Sequence, residues 1–328
     1  MPQDGRQEGR FDLVVTDVES VTPLIRTVRL ARPHQEPLPS WEPGAHLKVR
    51  IGDNDERSYS LVNTAADPGA CTHPKSYRLG IRLETPSQGG SVYMHGLKVG
   101  DTVSVTPPAN NFPLEPSGKP VVLVAGGVGV TPIVSMAAAL QAAEHPYRFY
   151  YAGRARDQLA FLPEIEALAG SNLTVHTDDA AQAFFDLAGL MGSLSGDEPL
   201  YCCGPLPMIE GAIATAKALG WAPGRLHFEI FTAAAPQAGD QAFEVVLNST
   251  GESFTVPPGK SVLDVLIEAG KDPLYDCKRG DCGICQVAVI EGTPDHRDFI
   301  LSDSEKSSGK LMQICVSRAK TPRLVLDL

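Results

Sequence analysis

Three observations on the sequence predict a multidomain α/β plus β architecture. Residues 11 to about 115 consist of short β-prone runs divided by Pro, Gly and Asp turns. From there to about residue 230, strand-like and helix-like runs alternate. The remainder, 243–328, holds three cysteines within nine positions and a fourth far downstream. At 328 residues the chain exceeds what one hydrophobic core normally serves, so separate domains are expected.

The first segment offers FDLVVTDVES, IRTVRLAR, HLKVRI, YRLGIRLE and DTVSVTPP among its strands, a spacing that suits a small antiparallel barrel. In ERSYSLVN, strand geometry sets Arg57 and Tyr59 on one face and Ser58 and Ser60 on the other. An aromatic ring, a cation and hydroxyls in four residues suit an isoalloxazine ring with an anionic tail. The plain alternative is an ordinary strand. Downstream, SQGGSVYMH places Gly89, Gly90 and Ser91 before a predicted helix, a small phosphate cradle.

In the second segment PVVLVAGG is a buried strand, TPIVSMAAALQAAE a helix, YRFYYAG a strand, AFLPEIEALAG a helix, and LTVHT and PLYCCGP strands. Such alternation argues for βαβ units on a parallel sheet. Gly126, Gly127 and Gly129 stand between the first strand and its helix, where a dinucleotide pyrophosphate can rest on backbone N–H groups. The order G-G-x-G-x-T-P is not the strict G-x-G-x-x-G fingerprint, and a ligand-free βα turn is the alternative. Thr131 is expected to cap the helix and Pro132 to sit in its first turn. Cys203, Gly204 and Pro205 in YCCGPLPM form a second turn at a strand's C-terminal end.

FTAAAPQAGDQ, rich in Ala, Pro, Gly and Gln, reads as a linker, placed at 233–242. The last segment opens with FEVVLNSTGESFTVP, two strands and a polar turn. SVLDVLIEAG follows as a helix capped by Ser261 and ended by Gly270. Cys277, Cys282, Cys285 and Cys315 then fall as C-x4-C-x2-C-x29-C, the plant-type [2Fe–2S] spacing. Structural zinc sites instead pair C-x2-C knuckles; zinc and metal-free buried thiols are the alternatives. Gly280 and Gly283 would let loop amides turn toward sulfur. Cys71, Cys202 and Cys203 lie outside the pattern.

Net charge is −11, which argues against non-specific nucleic-acid binding. No apolar run is long enough for a membrane span, and the polar MPQDGRQEGR start has no signal-peptide pattern, so a cytoplasmic location is expected. In that compartment seven cysteines suit metal or redox work better than disulfides.

R-x-Y-S, then G-G-S, G-G-x-G-x-T-P, C-C-G-P and the plant-type cysteine spacing, in that order from about Phe11 to Leu328, resemble the phthalate dioxygenase reductase family. DHRDFILSDSEK and the ending CVSRAKTPRLVLDL belong to the same likeness. It implies an FMN-binding barrel (1–115), a ferredoxin-reductase-type NAD-binding domain (116–232) and a β-grasp [2Fe–2S] ferredoxin domain (243–328). By resemblance, Arg57 and Ser58 hold the flavin and its phosphate, and Tyr59 and Ser60 lie along the ring. Gly80, Ile81 and Arg82 line the flavin strand, and Gln88, Gly89, Gly90 and Ser91 take the FMN phosphate. Thr131 reaches flavin and nicotinamide, and Phe231 covers the ring, a domain-boundary core aromatic being the alternative. The family has Lys where this chain has Arg82. Hydride is expected to pass from NADH to FMN, and electrons then singly to the cluster, with no acid–base dyad.

The expected partner of this monomer is a terminal oxygenase, of Rieske type acting as an aromatic-ring oxygenase or demethylase. A haem monooxygenase partner, a flavohaem-type reductase and a non-enzymatic electron carrier are the alternatives. FAD would need an aromatic shelf for its adenine, and only Tyr93 and Phe112 offer one. NADPH would need cations near the ribose: Arg154 and Arg156 in one loop face Asp178 and Asp179 in another, leaving NADPH open. Lys278 and Arg279 are expected to form a positive rim beside the cluster. His46, His95 and His227 have no evident partners.

Overall fold

The computed structural model describes residues 9–52, 55–65, 69–87, 89–232 and 237–328. Gln88, the first part of the expected linker and most of the N-terminal decapeptide lie outside the described residues. Two compact units are formed, Met1–Glu229 and Ile230–Leu328.

The first unit begins with β1 (Phe11–Ser20), β2 (Ile25–Ala31), β3 (His46–Arg50), β4 (Glu56–Ser60), β5 (Tyr77–Arg82) and β6 (Thr102–Val105). They form an antiparallel sheet in the order β4-β3-β6-β1-β2-β5. A bridge between Leu61 and Leu79 joins its two ends, so the sheet closes on itself. Closure removes the open edges that would otherwise recruit other strands. Period-two alternation fills the inside: Leu13, Val15, Leu47, Val49, Leu79 and Val105 are fully buried. Helix α1 (Gly69–Thr72) is a single turn, and α2 (Gly90–Gly96) adds Met94 to the same core.

The chain continues through β7 (Val121–Gly126), α3 (Val130–Ala142), β8 (Tyr147–Gly153), α4 (Leu162–Ala169), β9 (Leu173–Thr177), α5 (Asp178–Ala181), α6 (Leu187–Ser193), β10 (Leu200–Cys203), α7 (Leu206–Ala218) and β11 (Leu226–Glu229). The sheet is parallel, ordered β11-β10-β7-β8-β9. Every residue of β7 is buried, as a strand covered on both faces requires. The chain builds outward from β7 to β9, then crosses to β10 on the other side. The crevice beyond the carboxyl ends of β7 and β10 is therefore the topological switch point, where ligands bind in open α/β sheets.

The second unit holds β12 (Phe243–Leu247), β13 (Ser253–Val256), α8 (Val262–Glu268), β14 (Gln286–Glu291), β15 (Pro294–Asp295), α9 (Asp303–Ser308), β16 (Leu311–Gln313), β17 (Arg318–Ala319) and β18 (Arg323–Leu326). Its main sheet runs β13-β12-β18-β14-β16, with β15 and β17 as a separate ribbon. Leu263 and Leu266 of α8 pack into this sheet's core. Ser261 caps α8 reciprocally with Asp264, and Gly270 beyond its end takes φ +75°. No helix among the described residues is long and apolar enough to cross a membrane.

Candidate functional site

At the switch point the two glycine turns stand back to back. A Cβ on Gly129 would strike the Cys203 carbonyl oxygen and lie 2.6 Å from the Gly204 nitrogen. One on Gly126 would meet Pro205 Cδ at 2.7 Å, and one on Gly204 would meet Met208 Sδ at 2.8 Å. Glycine is required here because backbone packs on backbone. Gly127 has φ +53° with open space beside it. Tyr151, buried beneath, donates to the Gly127 carbonyl at 3.3 Å.

Thr131 does not cap α3. A 3-10 turn over Gly127–Gly129 runs directly into the helix, so Thr131 is already helical and its Oγ1 donates back to Val128 O at 3.0 Å. Pro132 lies in the first turn, as expected.

Thr131 also touches the barrel. A Cβ on Gly80 of β5 would stand 2.8 Å from Thr131 Cγ2 and 3.1 Å from Phe161 Cζ. Phe161, buried at φ +60°, lies under the Arg78 guanidinium, which pairs with Glu164 at 2.7 Å. Ser135 Oγ donates to Leu61 O at 2.8 Å and accepts from Asn63 N at 2.9 Å. Phe161 and Ser135 carry no motif, and the sequence reading missed both.

On β4, Arg57, Ser58 and Tyr59 are half-buried and Ser60 is buried. Arg57 and Tyr59 share the face that meets the Gly89–Ser91 turn: a Cβ on Gly90 would lie 2.7 Å from Arg57 Cγ and 3.0 Å from Tyr59 Oη. Burial pushes the Tyr59 phenol above its ordinary range. Gly89 takes φ +97°, and Ser91 Oγ accepts from Glu84 N at 3.1 Å. Arg57 pairs with Asp55, and Arg82 with Glu84 at 3.1 Å. His95 of α2 donates through Nε2 to Ile81 O at 2.9 Å, tying the cradle helix to β5. His227 stacks on Tyr201 with centroids 4.3 Å apart. Both histidines thus have partners the sequence did not reveal. Phe112 is buried against Tyr201, and Tyr93 packs on the barrel core, so neither stands as an open adenine shelf. The residues present fit a flavin that ends in a single phosphate.

The four predicted thiols of the second unit come together. Cys277 hydrogen-bonds with Cys282 and Cys315, and Cys285 with Cys315. S–H donation from Cys282 and Cys315 holds Cys277 far below the usual thiol range, and donation from Cys315 lowers Cys285. The backbone N–H of Arg279 also points at Cys277 Sγ, 3.3 Å away. Gly280 (φ +82°) and Gly283 (φ +79°) bend the loop; a Cβ on Gly280 would lie 2.7 Å from Val316 Cγ2. Three thiols of one loop and Cys315 from beyond it, all soft ligands and with a backbone amide donor at Cys277, fit a two-iron cluster. Burial raises the Asp281 carboxyl to about 7, against the opposing pull of Arg279. Arg279 is itself buried, its Nε 4.0 Å from Asp281, so the expected surface rim loses that cation; Lys278 is exposed, over the Tyr275 ring. Phe231, half-buried, belongs to this second unit.

The two loops expected to read the nucleotide's ribose are neighbours: Asp179 N donates to Arg154 O at 3.0 Å. Arg156 pairs with Glu166, and Asp178 lies 3.4 Å from His176 Nε2. Arg154 and Asp179 are exposed.

Of the other cysteines, Cys202 and Cys203 are fully buried, and burial raises Cys202 to about 12. Cys71 is half-buried.

Barrel, switch-point turns and thiol loop define an oxidoreductase that takes electrons from a nicotinamide nucleotide to an iron–sulfur centre through a flavin. Comparison with known proteins agrees. Residues 123–213 match the oxidoreductase NAD-binding domain, and residues 245–320 the 2Fe-2S iron-sulfur cluster binding domain. Tetrachlorobenzoquinone reductase of Sphingobium chlorophenolicum is 39% identical over 97% of this chain and 98% of its own. Vanillate O-demethylase oxidoreductase of a Pseudomonas species is 38% identical over 97% and 100%. The solved structure of phthalate dioxygenase reductase, described as a modular structure for electron transfer from pyridine nucleotides to [2Fe–2S], is 34% identical. It superposes with a TM-score of 0.75 over 98% of this chain and 99% of that one. Full-length CYP116B46 from Tepidiphilus thermophilus, 34% identical with a TM-score of 0.76, matches over 97% of this chain, which spans only 42% of it. The chain belongs to the phthalate dioxygenase reductase family, and is an NADH-dependent flavin iron–sulfur reductase.

Proposed function

We propose that this chain is the reductase component of an oxygenase system, delivering NADH-derived electrons to a terminal Rieske-type oxygenase or demethylase. The observation that carries the reading is that a nucleotide turn in contact with the barrel strand, Thr131 against Gly80, shares one chain with a four-thiol loop. FMN, when bound, accepts a two-electron hydride and releases electrons one at a time. The chain's own residues align and shield. Arg57, Ser58 and the Gly89–Ser91 turn would hold the flavin phosphate, with Tyr59, Ser60, Gly80, Ile81 and Arg82 along the ring. Gly126, Gly127, Gly129 and Thr131, opposed by Cys203, Gly204 and Pro205, would seat the nucleotide. Cys277, Cys282, Cys285 and Cys315 would ligate the cluster. No general base is needed for hydride transfer; alignment and exclusion of water suffice.

The names of vanillate O-demethylase oxidoreductase and phthalate dioxygenase reductase support an oxygenase partner. The likeness to part of CYP116B46 favours a haem monooxygenase as the second reading. The test is anaerobic reduction by NADH followed by mixing with a Rieske oxygenase or a ferric haem monooxygenase. Reduction of the Rieske centre is expected. Reduction of the haem alone reverses the assignment, and reduction of neither sinks both.

A further inference from the structure

The sequence places a linker at 233–242 between the nucleotide and iron–sulfur parts. Described residues just before it and at its far end are fastened within the iron–sulfur unit. On the near side, the buried Ile230 donates its backbone N–H to Asp281 Oδ2 at 3.0 Å. Asp281 lies in the thiol loop, its side chain only 7% exposed. At the far end, Asp240 takes a two-pronged pair from Arg297, with Nη2 to Oδ1 at 2.6 Å and Nη1 to Oδ2 at 3.1 Å. Arg318 Nε stands 3.7 Å from the same carboxylate, and Arg318 also donates to Gln241 O at 3.0 Å. Arg297 is held in turn by Asp295 at 2.8 Å. Asp240 and Gln237 close a turn between themselves, Asp240 N to Gln237 O at 3.2 Å.

We infer that Asp281 is a positioning residue that latches the incoming chain to the cluster loop, and that Asp240 is its counterpart at the far end. Ile230 and residues 237–242 are then integral parts of the iron–sulfur unit, held by its own side chains. Two facts support this directly. The compact units divide between Glu229 and Ile230. Both fastenings use carboxylates more than nine-tenths buried, where a carboxylate without its partners is costly. The latch has a consequence for electron transfer: it ties Ile230, the first residue of the iron–sulfur unit, to the loop that holds Cys277 and Cys282.

Amide hydrogen exchange on the FMN- and cluster-loaded full-length protein tests this, comparing wild type with Asp281→Ala, Asp281→Asn and Asp240→Ala. In wild type, exchange at Ile230 and at 237–242 should match that of the iron–sulfur unit's own strands. Losing one buried hydrogen bond should speed exchange at Ile230 about tenfold in Asp281→Ala. Asp281→Asn, which keeps an acceptor oxygen, should restore protection, and the low-temperature spin-resonance spectrum of the reduced cluster should shift in the alanine variant alone. Asp240→Ala should free 237–242 and leave Ile230 protected. Wild-type exchange at the rate of unstructured chain overturns the inference, as does unchanged exchange in both alanine variants. Should Asp281→Ala fail to hold its cluster, Asp281→Asn decides at Ile230 and Asp240→Ala by the same criterion at 237–242.

Discussion

At the residue scale, two glycines two positions apart are required for different reasons. Gly129 has an ordinary φ of −60° but no room for a Cβ against Cys203 and Gly204; Gly127 has room but φ +53°. Gly129→Ala should cost about 1–3 kcal/mol by overpacking and impair reduction by NADH. Gly127→Ala should cost about 1–2 kcal/mol of backbone strain, with the turn's packing kept. Thermal melting and KM for NADH separate them; a Gly129→Ala enzyme with normal KM would contradict the packing argument. Cys285→Ala should abolish the plant-type visible absorption with flavin retained, and cytochrome c reduction should fall much more than ferricyanide reduction. A full complement of iron and sulfide in that variant would refute the ligand assignment. Residues like these were legible because spacing or glycine content betrays them. Phe161, Ser135 and Asp281 were not: each acts on a partner distant in sequence or through one backbone atom, and no local pattern records that.

At the element scale, the strands and most helices followed from alternation and end signals. The Ser261 cap was readable because a capping box is local. The supposed Thr131 cap failed because a 3-10 turn filled the place a cap would have taken. Ser261→Ala should cost about 1 kcal/mol, seen as a lower melting temperature of the iron–sulfur unit. The ribbon of β15 and β17 carries Asp295 and Arg318, and Arg297 follows β15, all three within the network around Asp240. Hydrogen bonding from Arg297 depresses the Asp240 carboxyl. A depressed carboxyl stabilises the fold above its ordinary range, and that contribution fades as pH falls through its folded value. Wild type should therefore outlast Asp240→Asn at pH 7, and the gap in melting temperature should close below about pH 4. A gap that persists in acid would mean that the pair contributes nothing through charge.

At the scale of the whole molecule, net charge −11 makes an exposed cation beside the cluster loop conspicuous to an acidic partner. With Arg279 buried, Lys278 is left to act at the surface there. Lys278→Glu should slow partner reduction at low ionic strength, and the deficit should shrink as salt shortens the screening length to about 10 Å at 0.1 M. Rapid mixing with the oxygenase measures this, with NADH–ferricyanide turnover as the control; a salt-independent deficit would point to the cluster rather than to docking. The cysteine distribution has a practical consequence. If Cys277, Cys282, Cys285 and Cys315 ligate the cluster as proposed, with two more thiols sealed in β10, a maleimide dye should find Cys71 alone among seven. The native holoprotein should take up one equivalent of label, on the barrel. A donor placed there, read against the iron–sulfur unit's own visible absorption as acceptor, would measure the distance from barrel to cluster in solution without any engineered cysteine.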